Sequence, residues 1–145
     1  MSQYSATVTI NSDKEDFKIN GGLWDGYSLY QLYQMAHTPW EWHKTLFEKG
    51  HELGITVFST PFDDTAVDFL EDLDCPIYKV ASFEAADLNL VRKIATTGKP
   101  MIVSTGMLKP EEINELVNCA LKYGSGELAL LHCVSAYPAA IEDIN

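Results

Sequence analysis

Four short apolar runs, each closed by small, polar or acidic residues, punctuate this chain. They are Ile55-Thr-Val-Phe-Ser59-Thr60-Pro61-Phe62, Ile77-Tyr-Lys79-Val-Ala-Ser82-Phe-Glu84, Met101-Ile-Val-Ser104-Thr105-Gly106-Met107 and Leu128-Ala-Leu-Leu-His132-Cys-Val-Ser135-Ala-Tyr137-Pro138. Runs of this length and β-rich composition predict strands near 55–58, 77–81, 101–104 and 128–133. Between them the apolar period lengthens to that of a helix. Strand, polar tip, helix, strand is the signature of parallel βα units, whose chemistry sits at the carboxyl ends of the strands. The expected fold is therefore α/β: one parallel sheet of about four strands with helices on its outer face.

The helix signals are specific. Ser28-Leu-Tyr-Gln31 has capping-box spacing and predicts a short helix to about Met35. Thr38-Pro39-Trp40-Glu41 predicts a second, with Thr38 as cap and Pro39 first in the helix, running to Leu53 and stopping at Gly54. Val67, Leu70 and Leu73 form the stripe of a third over about 64–73, and Asp87 caps a fourth reaching Thr97, with Gly98 as its stop. Pro110 opens a fifth, on which Ile113, Leu116, Val117, Ala120 and Leu121 form one apolar face. Ahead of these, Ala6–Ile10 alternates like a strand, and Gly21-Gly-Leu-Trp-Asp-Gly26 is a glycine-rich loop that Trp24 would pin. The loop follows no convincing strand, so it is not a dinucleotide fingerprint.

Composition narrows the partners. With 145 residues the chain is one domain, and its 46% hydrophobic and 11% aromatic content suits a packed core. A formal net charge of −11 argues against nucleic acid or an anionic membrane, which require a basic surface. No apolar run approaches the roughly 20 residues of a membrane span. The first ten residues lack the basic end and apolar core of a signal peptide, so a cytoplasmic location is expected. Cys75, Cys119 and Cys133 are scattered and suit neither a disulfide framework nor a zinc site; Cys133 is expected as a buried strand thiol. His43 and His51 read as ordinary helix residues.

The candidate chemistry lies at the strand tips. Thr60, Ser82 and Ser104 recur one βα unit apart and should share a level at one mouth. Hydroxyls and loop N–H groups are what a phosphate needs, with one lysine as countercharge. Lys79 stands inside an otherwise apolar strand, where a charge is costly unless it is paired or used. It could bind phosphate as a point charge or form a Schiff base. Glu84 could move a proton or orient a substrate, or the two could simply neutralise each other. His132 points to the same mouth, more as a hydrogen-bonding wall residue than as a metal ligand.

These residues carry a resemblance. Phe58-Ser-Thr-Pro-Phe62, Tyr78-Lys-Val-Ala-Ser-Phe-Glu84, Gly98-Lys-Pro-Met-Ile-Val-Ser-Thr-Gly-Met107 and Leu131-His-Cys-Val-Ser-Ala-Tyr-Pro138 stand in order and in register. Together they resemble the sialic acid synthase family, which condenses phosphoenolpyruvate with an amino sugar to give nonulosonic acids. The glycine–tryptophan loop, His37-Thr-Pro-Trp-Glu-Trp-His43 and Ser135 look most like its pseudaminic acid synthase branch, with N-acetylneuraminate or legionaminic acid synthases as the alternative. The resemblance implies that Lys79, Thr60, Ser82, Ser104 and Gly106 hold the phosphate and that Glu84 faces the reacting carbons. It also implies that Ser135 and Tyr137 line the sugar side and that Gln3 follows a phosphate-binding lysine of the family.

A partial TIM (β/α) barrel of strands three to six, spanning residues 1–145, is what the resemblance implies for the fold. A closed barrel takes about 250 residues. The family's manganese or magnesium ion, its metal-holding histidines, its antifreeze-like C-terminal domain and its homodimer are not carried by the matching residues. An inactive, self-associating fragment is the corresponding expectation. Readings outside the family are a Schiff-base aldolase using Lys79, or a non-catalytic remnant.

Overall fold

The computed structural model describes residues 14–124, 127–134 and 139–144. Among them three strands form one all-parallel sheet in sequence order: β1 (Tyr78–Val80), β2 (Met101–Ser104) and β3 (Leu128–Leu131). Tyr78 pairs with Met101, Lys79 with Ile102 and Val80 with Val103, and Met101–Ser104 pairs with Leu128–Leu131. Five helices accompany them: α1 (Leu29–Ala36), α2 (Trp40–Glu52), α3 (Asp64–Glu71), α4 (Leu88–Ala95) and α5 (Pro110–Tyr123). The order β1–α4–β2–α5–β3 gives two consecutive parallel crossover units, the partial-barrel arrangement expected.

Side chains alternate across the strands and sort the two faces. Tyr78, Val80, Met101 and Val103 are buried beneath the helices, where they join Val67, Leu70, Leu90, Val91, Ile94 and Leu116 in one apolar core. Lys79 and Ile102 project from the opposite face and are only half-buried. The helices start where their caps dictate. Ser28 and Gln31 complete the expected capping box of α1. The Asp63 carboxylate accepts from the N–H of Ala66, and Asp87 from those of Asn89 and Leu90. Gly54 and Gly98 take positive φ just beyond α2 and α4, as left-handed stops should.

Several expectations change. The run 55–58 is not a strand, because the N–H of Ile55 closes the end of α2 by donating to the Gly50 carbonyl. Among the described residues it reaches the sheet through the parallel bridge of Ser59 to Tyr78, so the described sheet has three strands rather than four. β3 ends at Leu131, where its carbonyl accepts the Thr105 N–H and β2 turns away. Cys133 therefore lies beyond the strand and is half-exposed instead of buried.

Pro39, not Thr38, occupies the cap position of α2, and its extended backbone leaves Trp40 as the first helical residue. Leu121 lies off the buried face of α5 and is exposed. Trp24 is 51% exposed, so its side chain is not the buried anchor expected of it. Its loop is held by backbone bonds between Ile19 and Tyr27 and from Gly26 to Ile19, with glycines 21, 22 and 26 at positive φ. His43 is fully buried on α2, its Nδ1 3.1 Å from the Pro39 carbonyl and its ring edge-on to Phe69. No helix among the described residues is long and apolar enough to cross a membrane.

Candidate functional site at the strand tips

Lys79 and Ser104 come together because of register. Lys79 pairs with Ile102, and Ser104 lies two residues further along β2, so both side chains leave the same face. Lys79 Nζ donates to Ser104 Oγ at 2.6 Å and to the carbonyl of Val80 at 2.9 Å. Ser104 itself is buried. An ammonium has three N–H donors, and the two acceptors found among the described residues leave the third for another partner.

The tips around this pair are held by backbone. The N–H of Lys79 donates to the Ser59 carbonyl, and the Ser59–Tyr78 bridge brings Thr60 to the level of Lys79. Beyond β1 the chain turns through Ala81 and Ser82 into a short 3-10 helix, Glu84–Ala86, fixed by the N–H of Ala85 on the Ala81 carbonyl. Beyond β2, Thr105 donates both its N–H and its hydroxyl to the Leu131 carbonyl, and Leu108 closes the turn that contains Gly106. Ser82 and Gly106 thus sit on the loops that follow Lys79 and Ser104.

Glu84 is the unsatisfied member. Its Oε2 is buried and has no hydrogen-bond partner among the described residues. A carboxylate oxygen buried without a donor favours the protonated acid. Burial accordingly pushes the Glu84 carboxyl above the ordinary glutamate value, against the opposing pull of its own backbone N–H and of Lys79. Burial also pushes the Lys79 ammonium below the ordinary lysine value, opposed by Cys133 and then by Glu84. Lysine and glutamate therefore feel each other without forming a salt bridge, so simple mutual neutralisation does not describe them.

Cys133 lies elsewhere than its apolar run predicts. It stands past the end of β3, close enough to Lys79 to influence its charge. The polar His132, interrupting the apolar run, was the available signal that the strand ends early. His132 is exposed. Gln3, Ser135 and Tyr137 lie outside the described residues. Among the described residues no three His, Cys, Asp or Glu side chains are grouped so as to hold a metal ion. The divalent metal that the resemblance implies therefore finds no ligand set in the residues described.

Comparison with known proteins adds a second line. Residues 2–145 match the model of the NeuB family. The chain is 46% identical over 138 residues to the pseudaminic acid synthase of Helicobacter pylori, covering 95% of this chain and 41% of that protein. It is 50% identical over 139 residues to the pseudaminic acid synthase of Campylobacter jejuni strain 81-176, covering 96% and 40%. The chain thus spans about two-fifths of the length of the curated relatives it matches. Its fold superposes on the crystal structure of the N-acetylneuraminic acid (sialic acid) synthetase of Leptospira borgpetersenii with a TM-score of 0.83 and 26% identity, over 99% of this chain and 46% of that one.

Proposed function

Because this chain belongs to the NeuB family, we propose that it carries the phosphoenolpyruvate side of a nonulosonic acid synthase site of the pseudaminic acid type. Lys79 holds the phosphate as a point charge, and the hydroxyls of Thr60, Ser82 and Ser104 with the turn at Gly106 supply further donors. In the reaction, C3 of phosphoenolpyruvate attacks the aldehyde carbon of an open-chain diacetamido 6-deoxy hexose. Water adds at C2, and phosphate leaves with cleavage of the C–O bond. Glu84, whose carboxyl burial pushes above the ordinary glutamate value, is suited to exchange a proton beside the reacting carbons. Gln3, Ser135 and Tyr137 are assigned to substrate binding, the last two on the sugar side. A cytoplasmic setting and a paired assembly belong to the same proposal.

One observation carries the reading: the 2.6 Å contact between Lys79 and Ser104 at the strand tips, with a buried Glu84 Oε2 that has no hydrogen-bond partner among the described residues. Identities of 46% and 50% to two pseudaminic acid synthases support the choice of acceptor class. The test is a chimera in which this chain replaces the matching segment of the Campylobacter enzyme. Phosphate release should require both phosphoenolpyruvate and the diacetamido sugar. Glu84→Gln should lower kcat by roughly 10²-fold or more, the usual worth of a positioned acid or base. A folded chimera that releases no phosphate, or whose kcat ignores Glu84→Gln, contradicts the proposal.

A second reading has one observation in its favour. Burial lowers the Lys79 pKa and so raises the share of free amine that a Schiff base requires. Borohydride reduction in the presence of pyruvate would then attach carbon to Lys79. The phosphate-binding reading expects no adduct.

A further inference from the structure

Tyr78 is completely buried at the start of β1 and is tied to the entry of β2 twice. Its N–H donates to the Pro100 carbonyl at 3.0 Å. Its hydroxyl donates to Glu71 Oε1 on α3 at 2.5 Å, and the same oxygen accepts from Lys99 Nζ at 2.7 Å. Lys99 directly precedes Pro100, so backbone and side-chain links close a ring around the first rung of the β1–β2 ladder. That ladder contains three residue pairs. A slip by one residue would turn Lys79 to the other face, and a slip by two that set it opposite Pro100 would leave it four residues short of Ser104, about 13 Å along the strand and beyond reach.

We propose that Tyr78, Glu71 and Lys99 act as a positioning clamp that fixes the stagger of β1 against β2, and through it the meeting of Lys79 with Ser104. None of the three touches the mouth; they act through Lys79. The effect on ligand binding rests on the phosphate reading above, whereas the effect on Lys79 itself does not.

The test uses the whole 145-residue chain with ¹⁵N-labelled lysine, the Lys79 resonance being assigned by its loss in Lys79→Arg. Tyr78→Phe keeps the ring and removes the hydroxyl. Ile94→Val, in the same core but outside the ring of bonds, is the control for lost stability alone. In Tyr78→Phe the Lys79 ammonium should titrate nearer the ordinary lysine range, and phosphoenolpyruvate affinity should fall roughly fivefold, the worth of about one hydrogen bond. Ile94→Val should lower Tm and change neither. If Tyr78→Phe lowers Tm only, as the control does, the clamp is refuted. Should Tyr78→Phe fail to fold, Lys99→Met cuts the same ring at its half-exposed member and carries the same expectations. If the parent chain binds no phosphoenolpyruvate, the Lys79 titration still decides the clamp, and the phosphate reading alone falls.

Discussion

The ammonium of Lys79 lies 2.6 Å from the hydroxyl of Ser104, a residue 25 positions further along the chain. The contact joins two adjacent parallel strands and gives a half-buried charge one of its two acceptors among the described residues. Removing that acceptor should be felt. Ser104→Ala is expected to destabilise the chain by about 1.5–3 kcal/mol at pH 7, the range for a hydrogen bond to a charged group. The loss should shrink at alkaline pH, where a neutral amine no longer needs the acceptor. Urea melts of both proteins at pH 7 and near pH 10.5 measure it; an equal loss at both would mean that the hydroxyl serves packing only.

Glu84 gives a pH signature with a defined sign. Its folded pKa is raised above the ordinary glutamate value, so the folded state holds a proton that the unfolded state releases. Its stability contribution is fully present below the unfolded pKa of about 4.3 and is lost as pH rises through the raised folded value. Glu84→Gln cannot lose that proton. Relative to the parent, the variant should therefore gain stability between pH 4 and pH 7. A difference that stays flat across this window would show that folding leaves the Glu84 pKa unchanged.

Gly50 is required by space rather than by conformation. A Cβ there would stand 2.1 Å from a side-chain carbon of Val57 and 3.2 Å from the Ile55 carbonyl. Gly50→Ala should cost about 1–3 kcal/mol, as overpacking does, outweighing the helix propensity of alanine. Adding Val57→Ala should return part of that loss. Thermal melts of the two single variants and the double variant give the coupling directly, and strict additivity would contradict the close approach.

The N-cap of α3 supplies an independent check on the local structure. Asp63 accepts hydrogen bonds from the Ala66 N–H and the Thr65 hydroxyl. Asp63→Ala should destabilise the chain by about 1 kcal/mol, and Asp63→Asn by less, because an amide oxygen can still cap. Equal losses for the two substitutions would assign the role to charge.

Much of this was legible in the sequence, and the reasons are particular. Lys79 stood out because a charge in an apolar strand demands a use, and Ser104 because it ends the next run at the same level. The helices were legible through Ser28, Asp87 and Pro110, whose start signals act locally. What failed depended on distant backbone. Ile55 and Val57 have strand character, but the N–H of Ile55 is taken by the end of α2. Cys133 extends an apolar run, yet its strand stops where β2 turns away at Thr105. Trp24 looked like an anchor because of its size, although its loop is held by main-chain bonds. Composition carries none of these competitions for a hydrogen-bond partner.

If Lys79 and Ser104 form part of a phosphate cradle, direct titration of the chain with phosphoenolpyruvate should reveal it. The parent chain should bind, with affinity falling as salt rises, since the contact is a charge pair with solvent access. Lys79→Met, which keeps length and removes charge, should weaken binding at least tenfold, and inorganic phosphate should compete in the parent only. Equal affinity in the parent and in Lys79→Met would contradict the account.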